Sequence, residues 1–255
     1  MRIAYDVIGN KEKSVAILGY NIKASKKTAK EIMKRHKAVK SVLQKISDRE
    51  GDFRLYQTKL LLGDKNTEVI HKEHNYFIKV DPQRVYFSPR EGTERQRLAE
   101  MVKPGERILI MFSGSGPYSI TIAKKHPENQ IVNIDINLDA VSYAEKNIRM
   151  NRIRNVKNIC GDVRKLRNIG KFDRIIMPLV ETAKEFLDDA VLHSKKGTVI
   201  HLYGLTRNRK TMEDLEEEVH EISDTYNFRY KIVGKQDVLP YAPRVRKVRL
   251  DIKIL

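Results

Sequence analysis

The sequence has very little cysteine. Cys160 is the one cysteine among 255 residues, so no internal disulfide can form, and without a cluster of Cys and His residues we expect no structural zinc site. Long apolar runs are also missing, since no stretch approaches the roughly 18 uncharged apolar residues of a membrane-spanning helix. The N-terminus lacks the apolar region and small-residue cleavage site of a signal peptide. We therefore expect a cytoplasmic protein without a membrane segment or a bound metal.

Basic residues, in contrast, are abundant. The chain has 50 Lys and Arg against 33 Asp and Glu, which gives a formal net charge of +17 and a pI near 9.8. An excess of this size favours a polyanionic partner, most often a nucleic acid. A heat-adapted surface would raise Lys and Glu together, whereas here only one sign is in excess.

Strands and helices alternate from about residue 104 onward. Short apolar runs such as RILIMF and GTVIHLY are separated by helix-like stretches, a pattern that predicts an α/β domain with a mainly parallel sheet covered on both faces. The segment from Arg229 to the end contains two further strands with no helix between them. We expect these two strands to form an antiparallel edge on that sheet.

The N-terminal third has a different pattern. A strand (SVAILG), a helix with Ser25 as its N-cap, and four further strands follow one another, which predicts a small α+β domain. We therefore divide the chain into residues 1–85 and 86–255, with the boundary in the segment 81–89.

A glycine turn, SGSG, follows the first strand of the α/β region. Parallel sheets bind ligands at the carboxyl ends of their strands. There, Gly114 and Gly116 would let the backbone turn sharply and approach a ligand, and the helix that begins near Pro117 would direct its N–H groups to the same place. The pattern lacks the third glycine of a dinucleotide site and the Lys-Ser/Thr of a P-loop. Taken alone, a purely structural turn explains it equally well.

Acidic residues follow the next two strands of the predicted sheet. Asp135 is placed to accept both hydroxyls of a ribose, and Asp162 to accept from an amino group such as that of adenine. Each carboxylate could instead cap the helix that follows, but three successive strand ends together favour a class I methyltransferase site for S-adenosylmethionine. The cofactor-binding candidates are Phe112, Ser113, Gly114, Gly116, Asp135, Ile136, Asp162 and Val163.

The fourth strand end carries a proline. Many amino-group methyltransferases have Asn/Asp-Pro-Pro-aromatic at this point, whereas this chain has Met177-Pro178-Leu179-Val180, without a side-chain acceptor. Pro178 would shape the pocket and present a neighbouring carbonyl to the substrate. An ordinary strand-to-helix turn is the alternative.

Several motifs, in this order, resemble the archaeal and eukaryotic tRNA guanine-37 N1-methyltransferases: EGDFR, YFSPREGTER, MFSGSGPYSI, IDINLDAV, DRIIMPL, GTVIHLY and YAPR. The similarity covers nearly the whole chain. It implies a Rossmann-type class I methyltransferase domain preceded by a small α+β domain that binds tRNA and supports the active site. It also implies S-adenosylmethionine as cofactor and the tRNA anticodon loop as substrate. Many archaeal members carry a further N-terminal domain, which we expect this chain to lack, and we expect a monomer.

The resemblance also implies catalytic roles. Arg54 would hold O6 of the target guanine, and Glu94 would remove the N1 proton, because N1 cannot attack a methyl group while it is protonated. Without the resemblance, Glu94 would be a solvated carboxylate and Arg54 a phosphate contact. The tRNA-binding candidates are Arg90, Arg95, Tyr241 and Arg244, and we expect some of Arg246, Lys247 and Arg249 to touch phosphates as well.

The sequence departs from the family pattern at two strand ends. Ile110 replaces the usual Asp before the glycine turn, and Pro178-Leu179-Val180 replaces Asn-Leu-Pro. Proline at the first position resembles an archaeal subgroup linked to wyosine synthesis, which also methylates C7 of the tricyclic base formed at position 37, while Val180 matches neither pattern. Two alternatives therefore stay open: a wyosine-pathway aminocarboxypropyltransferase on the same fold, or a non-catalytic tRNA-binding module.

Overall fold

The computed structural model describes residues 4–20, 22, 24–50, 55–207 and 211–255, with the side chains of 48–50 and 207 excepted. Its N-terminal part is a four-stranded sheet in the order β1-β2-β3-β4. The strands are β1 (Tyr5–Gly9), β2 (Ser14–Leu18), β3 (Val39–Glu50) and β4 (Leu55–Gly63). Strand β2 pairs with β3 in parallel, and the other two pairings are antiparallel.

Helix α1 (Lys26–Arg35) makes the crossover between β2 and β3, and its ends follow from the sequence. The side chain of Ser25 accepts from the backbone N–H of Thr28, and Thr28 returns a hydrogen bond to the backbone of Ser25. This capping box satisfies N–H groups that the first helical turn leaves unpaired. Ala29 and Ile32 are buried on the face toward the sheet. The predicted helix is confirmed, whereas strand β1 was not predicted.

The C-terminal part is built on a seven-stranded sheet in the order β12-β13-β11-β10-β7-β8-β9. Its strands are β7 (Arg107–Met111), β8 (Gln130–Asp135), β9 (Val156–Cys160), β10 (Phe172–Met177), β11 (Ser194–Arg207), β12 (Tyr230–Ala242) and β13 (Val245–Ile254). Strands β7 to β11 run parallel, and β13 pairs antiparallel with both β11 and β12. The predicted parallel sheet with an antiparallel C-terminal edge is confirmed.

Helices connect the parallel strands and cover the sheet. They are α2 (Gly92–Met101), α3 (Pro117–Lys125), α4 (Leu138–Met150), α5 (Leu187–Leu192) and α6 (Met212–Thr225). In the described part of the chain, none of the helices is long and apolar enough to cross a bilayer.

A β-hairpin joins the two parts of the chain. Its strands, β5 (Val69–Glu73) and β6 (Tyr76–Val80), are antiparallel. The backbone N–H of Phe77 donates to Asn151 at 2.9 Å, and that of Lys79 donates to Asn147, on α4, at 2.6 Å. The hairpin is therefore tied to the methyltransferase-like part. The domain boundary between residues 85 and 86 stays a prediction.

Strand β7 is buried on both faces, as expected of a central parallel strand. Leu109 and Met111 contribute to the apolar cluster on one side of the sheet, and Ile108 and Ile110 to the cluster on the other side. Val180 is buried in the same cluster as Ile110. The two positions that depart from the family pattern thus share one apolar environment, which explains why Ile is tolerated where a carboxylate is usual.

A polar network crosses the sheet near its antiparallel edge. Arg174 donates to Glu106 at 2.6 Å and lies 2.6 Å from Nε2 of His201, whose Nδ1 is 2.6 Å from Asp251. Arg249 donates to the same carboxylate at 2.8 Å. Burial acts to raise the pKa of Asp251, but His201 and Arg249 lower it to about 2. The carboxylate is therefore kept charged in the folded state.

Acid should remove the stabilisation that Asp251 provides. Its folded pKa lies below the ordinary value of 3.8, so its contribution is present above about pH 4 and is lost as the pH falls toward 2. The shift corresponds to about 2 kcal/mol. We expect the free energy of unfolding in urea to fall by about this amount over that interval, and by less in Asp251→Asn relative to its own value at neutral pH. Equal acid sensitivity in the two proteins would contradict this assignment.

Candidate active site

Two cavities meet at the carboxyl ends of the parallel strands. The inner cavity, of about 470 Å³, extends along the ends of β7, β8 and β10. The outer cleft, of about 860 Å³, lies between the N-terminal sheet and the C-terminal strands. Five residues line both spaces: Tyr86, Phe87, Ser88, Glu91 and Val180. A ligand in one space can therefore contact a ligand in the other.

The glycine turn forms one wall of the inner cavity. Phe112, Ser113 and Gly114 line it, while Gly116 is the N-cap of α3 and is not among the described lining residues. Gly114 and Gly116 have φ angles of 57° and 81°, which favour glycine. A Cβ on Gly116 would also lie 3.1 Å from Oγ of Ser119. Gly116 therefore shapes the turn rather than the cavity surface.

The carboxylate of Asp135, at the end of β8, is fixed by two backbone hydrogen bonds. It accepts from the N–H of Gly114 at 2.7 Å and from the N–H of Asn137 at 2.9 Å. Burial raises the pKa of Asp135, although both hydrogen bonds oppose this. Each carboxylate oxygen keeps a further lone pair, so the group can still accept from two neighbouring hydroxyls in the inner cavity.

The next strand end contributes Asp162 and Val163 to the cavity lining. Asp162 caps the short 3₁₀ helix that follows and also binds the guanidinium of Arg164 at 2.7 Å, so its predicted contact with an amino group would be shared with Arg164. Val163 is buried, whereas Ile136 is 39% exposed beside the cavity. The two side chains provide apolar surface for a flat ring.

Pro178 lines the inner cavity together with Leu179. Near them, the rings of Phe112 and Phe186 make an edge contact with centroids 4.9 Å apart. This apolar wall faces the acidic and glycine-rich side of the cavity. The cavity thus combines a ribose-binding carboxylate, backbone N–H groups and an apolar surface.

Comparison with known proteins gives this arrangement a family. The description "TRM5/TYW2 methyltransferase domain" matches residues 69–233. The chain belongs to the TRM5/TYW2 methyltransferase family. The matched residues begin at the hairpin β5–β6 and include both β-strand ends that carry the predicted acidic residues.

Relatives in the TRM5/TYW2 family are similar over nearly the whole chain. The tRNA (guanine(37)-N(1))-methyltransferase Trm5b of Pyrococcus abyssi is 36% identical over 98% of this chain and 74% of its own length. The tRNA (guanine(37)-N(1))/4-demethylwyosine(37)-methyltransferase Taw22 of Nanoarchaeum equitans is 31% identical over 95% and 98% of the two chains. A solved complex of aTrm5 with tRNALeu superimposes with a TM-score of 0.84, at 32% identity, over 100% of this chain and 73% of that one.

Glu94, which the resemblance to this family predicts as the base, is held away from both cavities. It is 2% exposed and is not among the described lining residues of either cavity. Its Oε1 accepts from the hydroxyl of Tyr203 at 2.7 Å and from Arg249, and its Oε2 accepts from Arg97 at 2.6 Å. These contacts would have to break before Glu94 could reach a substrate, so its role as a base stays a prediction. Arg54 lies outside the described residues.

The predicted tRNA-binding residues separate into two groups. Arg90 and Tyr241 line the outer cleft, and Arg244 is exposed at the turn between β12 and β13. Arg95, in contrast, is 1% exposed and donates to Glu73 at 2.9 Å. The structure therefore does not support a phosphate contact for Arg95, because its guanidinium is enclosed and already paired.

Two of the C-terminal cations are also buried rather than free for phosphates. Lys247 and Arg249 are each 2% exposed. They alternate along β13, so both side chains lie on the same face of the sheet. Lys247 pairs with Glu91, and Arg249 pairs with Glu94. The expectation of phosphate contacts is thus corrected for these two, while exposed Arg246 pairs with Asp237.

Glu91 and Lys247 were not among the predicted site residues. The Nζ of Lys247 lies 2.9 Å from Oε2 of Glu91, and both residues line the inner cavity. The sequence contains a signal, since cations at every second position of a strand that is otherwise apolar indicate buried charges that need partners. It does not indicate which acid is the partner.

Proposed function

We propose that this protein is a tRNA methyltransferase that transfers a methyl group from S-adenosylmethionine to N1 of guanosine 37. The observation that carries the proposal is the junction of the two cavities. A cavity with the donors and acceptors for an adenosine-type ligand opens onto a cleft large enough for a nucleotide. The names of the family relatives support the substrate and the position.

The inner cavity fits the cofactor. The carboxylate of Asp135 would hold the ribose hydroxyls, and Ile136 and Val163 would enclose the adenine. Asp162 would accept from the adenine amino group while it stays paired with Arg164. The backbone at Phe112 and Gly114 would border the amino-acid portion. When bound, the cofactor supplies an electrophilic methyl group on a sulfonium.

The outer cleft fits the anticodon loop. It is lined by aromatic residues, among them Tyr20, Tyr56 and Tyr86, and by the cations of Lys45 and Arg90. Aromatic faces stack with unpaired bases, and cations track phosphates. A guanine that enters from this cleft would reach the five residues shared with the inner cavity. The protein's part in the reaction is to orient N1 toward the methyl group and to accept the N1 proton.

The direct test uses two substrates and a labelled methyl group. Unmodified tRNA and tRNA carrying the tricyclic wyosine precursor are each incubated with methyl-labelled cofactor, and the nucleosides are analysed by mass. N1-methylguanosine at position 37 is the expected product, and a methyl group on C7 of the tricyclic base would add the second reaction. A product heavier by an aminocarboxypropyl group would overturn the proposal, and so would the absence of any transfer.

Loss of the carboxylate at residue 135 should weaken cofactor binding. A charge-assisted pair of hydrogen bonds contributes roughly 1.5–3 kcal/mol, so we expect Asp135→Ala to lower the affinity for S-adenosylmethionine about ten- to a hundredfold in calorimetry. Asp173→Ala is the matched control, because Asp173 lies at the start of β10, at the opposite edge of the sheet. Equal affinities of the two variants would remove Asp135 from the site.

A further inference from the structure

A buried carboxylate–ammonium pair occupies the junction of the two cavities. Among the five described residues that line both spaces, Glu91 carries the one carboxylate, and it is 6% exposed. Its Oε2 lies 2.9 Å from Nζ of Lys247, which is 2% exposed. The hydroxyls of Tyr86 and Tyr118 donate to the two oxygens at 3.2 and 3.4 Å.

Stability alone does not explain this pair. Removing two charges from water is costly, and replacing a buried ion pair by apolar residues is often neutral or stabilising. Lys247 moreover extends from a strand whose neighbours Val248 and Leu250 belong to the apolar core. A charge pair at this point, open to both cavities, indicates that a ligand uses it.

The two groups match one edge of guanine. Guanine presents the N1–H donor beside the O6 acceptor, and a carboxylate next to an ammonium presents an acceptor beside a donor. We propose that Glu91 accepts the N1 proton of the target guanine and that Lys247 donates to its O6. This inference rests on the proposed function and names the residues that recognise and deprotonate its substrate.

The proton and electron transfers balance in this arrangement. The N1–H bond breaks, the proton passes to the carboxylate of Glu91, and the electron pair stays on N1. That pair forms the bond to the methyl carbon as the carbon–sulfur bond breaks and its electrons return to sulfur. Lys247 stabilises the negative charge that develops on O6. Glu91 then releases the proton to water in the outer cleft.

The neighbouring pair on the same two elements does not meet these conditions. Glu94 lies one turn further along α2 and pairs with Arg249, one alternate position further along β13. Neither residue is among the described residues that line either cavity. Both oxygens of Glu94 are occupied. The two pairs therefore differ in access, which is the property that a base requires.

The first experiment measures single-turnover methylation of guanosine 37 in the full-length protein. Loss of a general base typically costs about 10²–10⁴-fold in rate, and we expect a loss in this range for Glu91→Gln. Glu106→Gln is the matched control, because Glu106 is a buried ion-pair partner of Arg174 at the opposite edge of the sheet. We expect the rate of this control to stay within about twofold of the parent. If Glu94→Gln loses the rate and Glu91→Gln keeps it, the inference is overturned while the proposed function stands.

The second experiment measures binding and needs no turnover. Affinity for tRNA with guanine or 2-aminopurine at position 37 is measured by fluorescence anisotropy in the presence of S-adenosylhomocysteine. 2-Aminopurine lacks O6 and the N1 proton, so the parent should bind it about tenfold or more weakly, in line with loss of a hydrogen bond to a charged group. Lys247→Met should bind both tRNAs equally, because the contact is already lost. If Lys247→Met still discriminates tenfold, the assignment of O6 to Lys247 is wrong.

Discussion

The affinity for tRNA should fall about 10³–10⁵-fold between about 50 and 200 mM salt. This is the loss expected for a protein that makes about six to ten phosphate contacts, because each contact releases condensed counterions from the RNA. The net charge of +17 and the cations that line the outer cleft, such as Lys45 and Arg90, lead to this expectation. Filter binding or anisotropy across a salt series measures it.

A pair of variants locates the contacts within that dependence. Arg90 is exposed at the rim of the outer cleft and donates to the carbonyl of Pro240 at 2.8 Å. We expect Arg90→Ala to reduce the slope of log affinity against log salt by about one contact. Lys124→Ala should leave the slope unchanged, since Lys124 lies in the last turn of α3, toward the opposite edge of the sheet. A slope near zero in the parent would contradict a nucleic-acid substrate.

The features that were predictable from sequence depend on residues near one another in the chain. The glycine turn, the acidic ends of β8 and β9 and the cap of α1 each involve contacts over about 21 residues or fewer, such as that between Gly114 and Asp135. Strand and helix periodicity then places these ends at one edge of a parallel sheet. The inner cavity follows from these local rules together.

The pairing of buried charges was not predictable in the same way. Glu94 and Arg249 are 155 residues apart in the chain, and Arg95 reaches Glu73 on the hairpin, 22 residues before it. Sequence shows that such charges exist, but only the register of β13 against β11 and the position of α2 decide which of them meet. For this reason exposed roles were assigned to Arg95, Lys247 and Arg249, and Glu91 was overlooked.

Removing the carboxylate of Glu94 should destabilise the fold strongly. Breaking a buried ion pair by deleting one partner costs about 3–5 kcal/mol, and Glu94→Leu would leave Arg249 in the core with Asp251 as its remaining acidic partner. We expect the urea midpoint of Glu94→Leu to fall accordingly, with an unchanged slope of unfolding. Tyr203 would lose its acceptor at the same time.

The double variant Glu94→Leu/Arg249→Met separates the charge pair from the packing. Replacement of both partners by apolar residues removes the unpaired cation, so the double variant should recover about 1–4 kcal/mol relative to Glu94→Leu. If Glu94→Leu costs less than about 1 kcal/mol, the carboxylate is not held as the structure shows, and its assignment as the base becomes the stronger of the two. If the full cost appears and is recovered in the double variant, Glu94 acts as a structural partner of β13. In that case the rate of the refolded single variants, corrected for the folded fraction, decides between Glu91 and Glu94 without interference from stability.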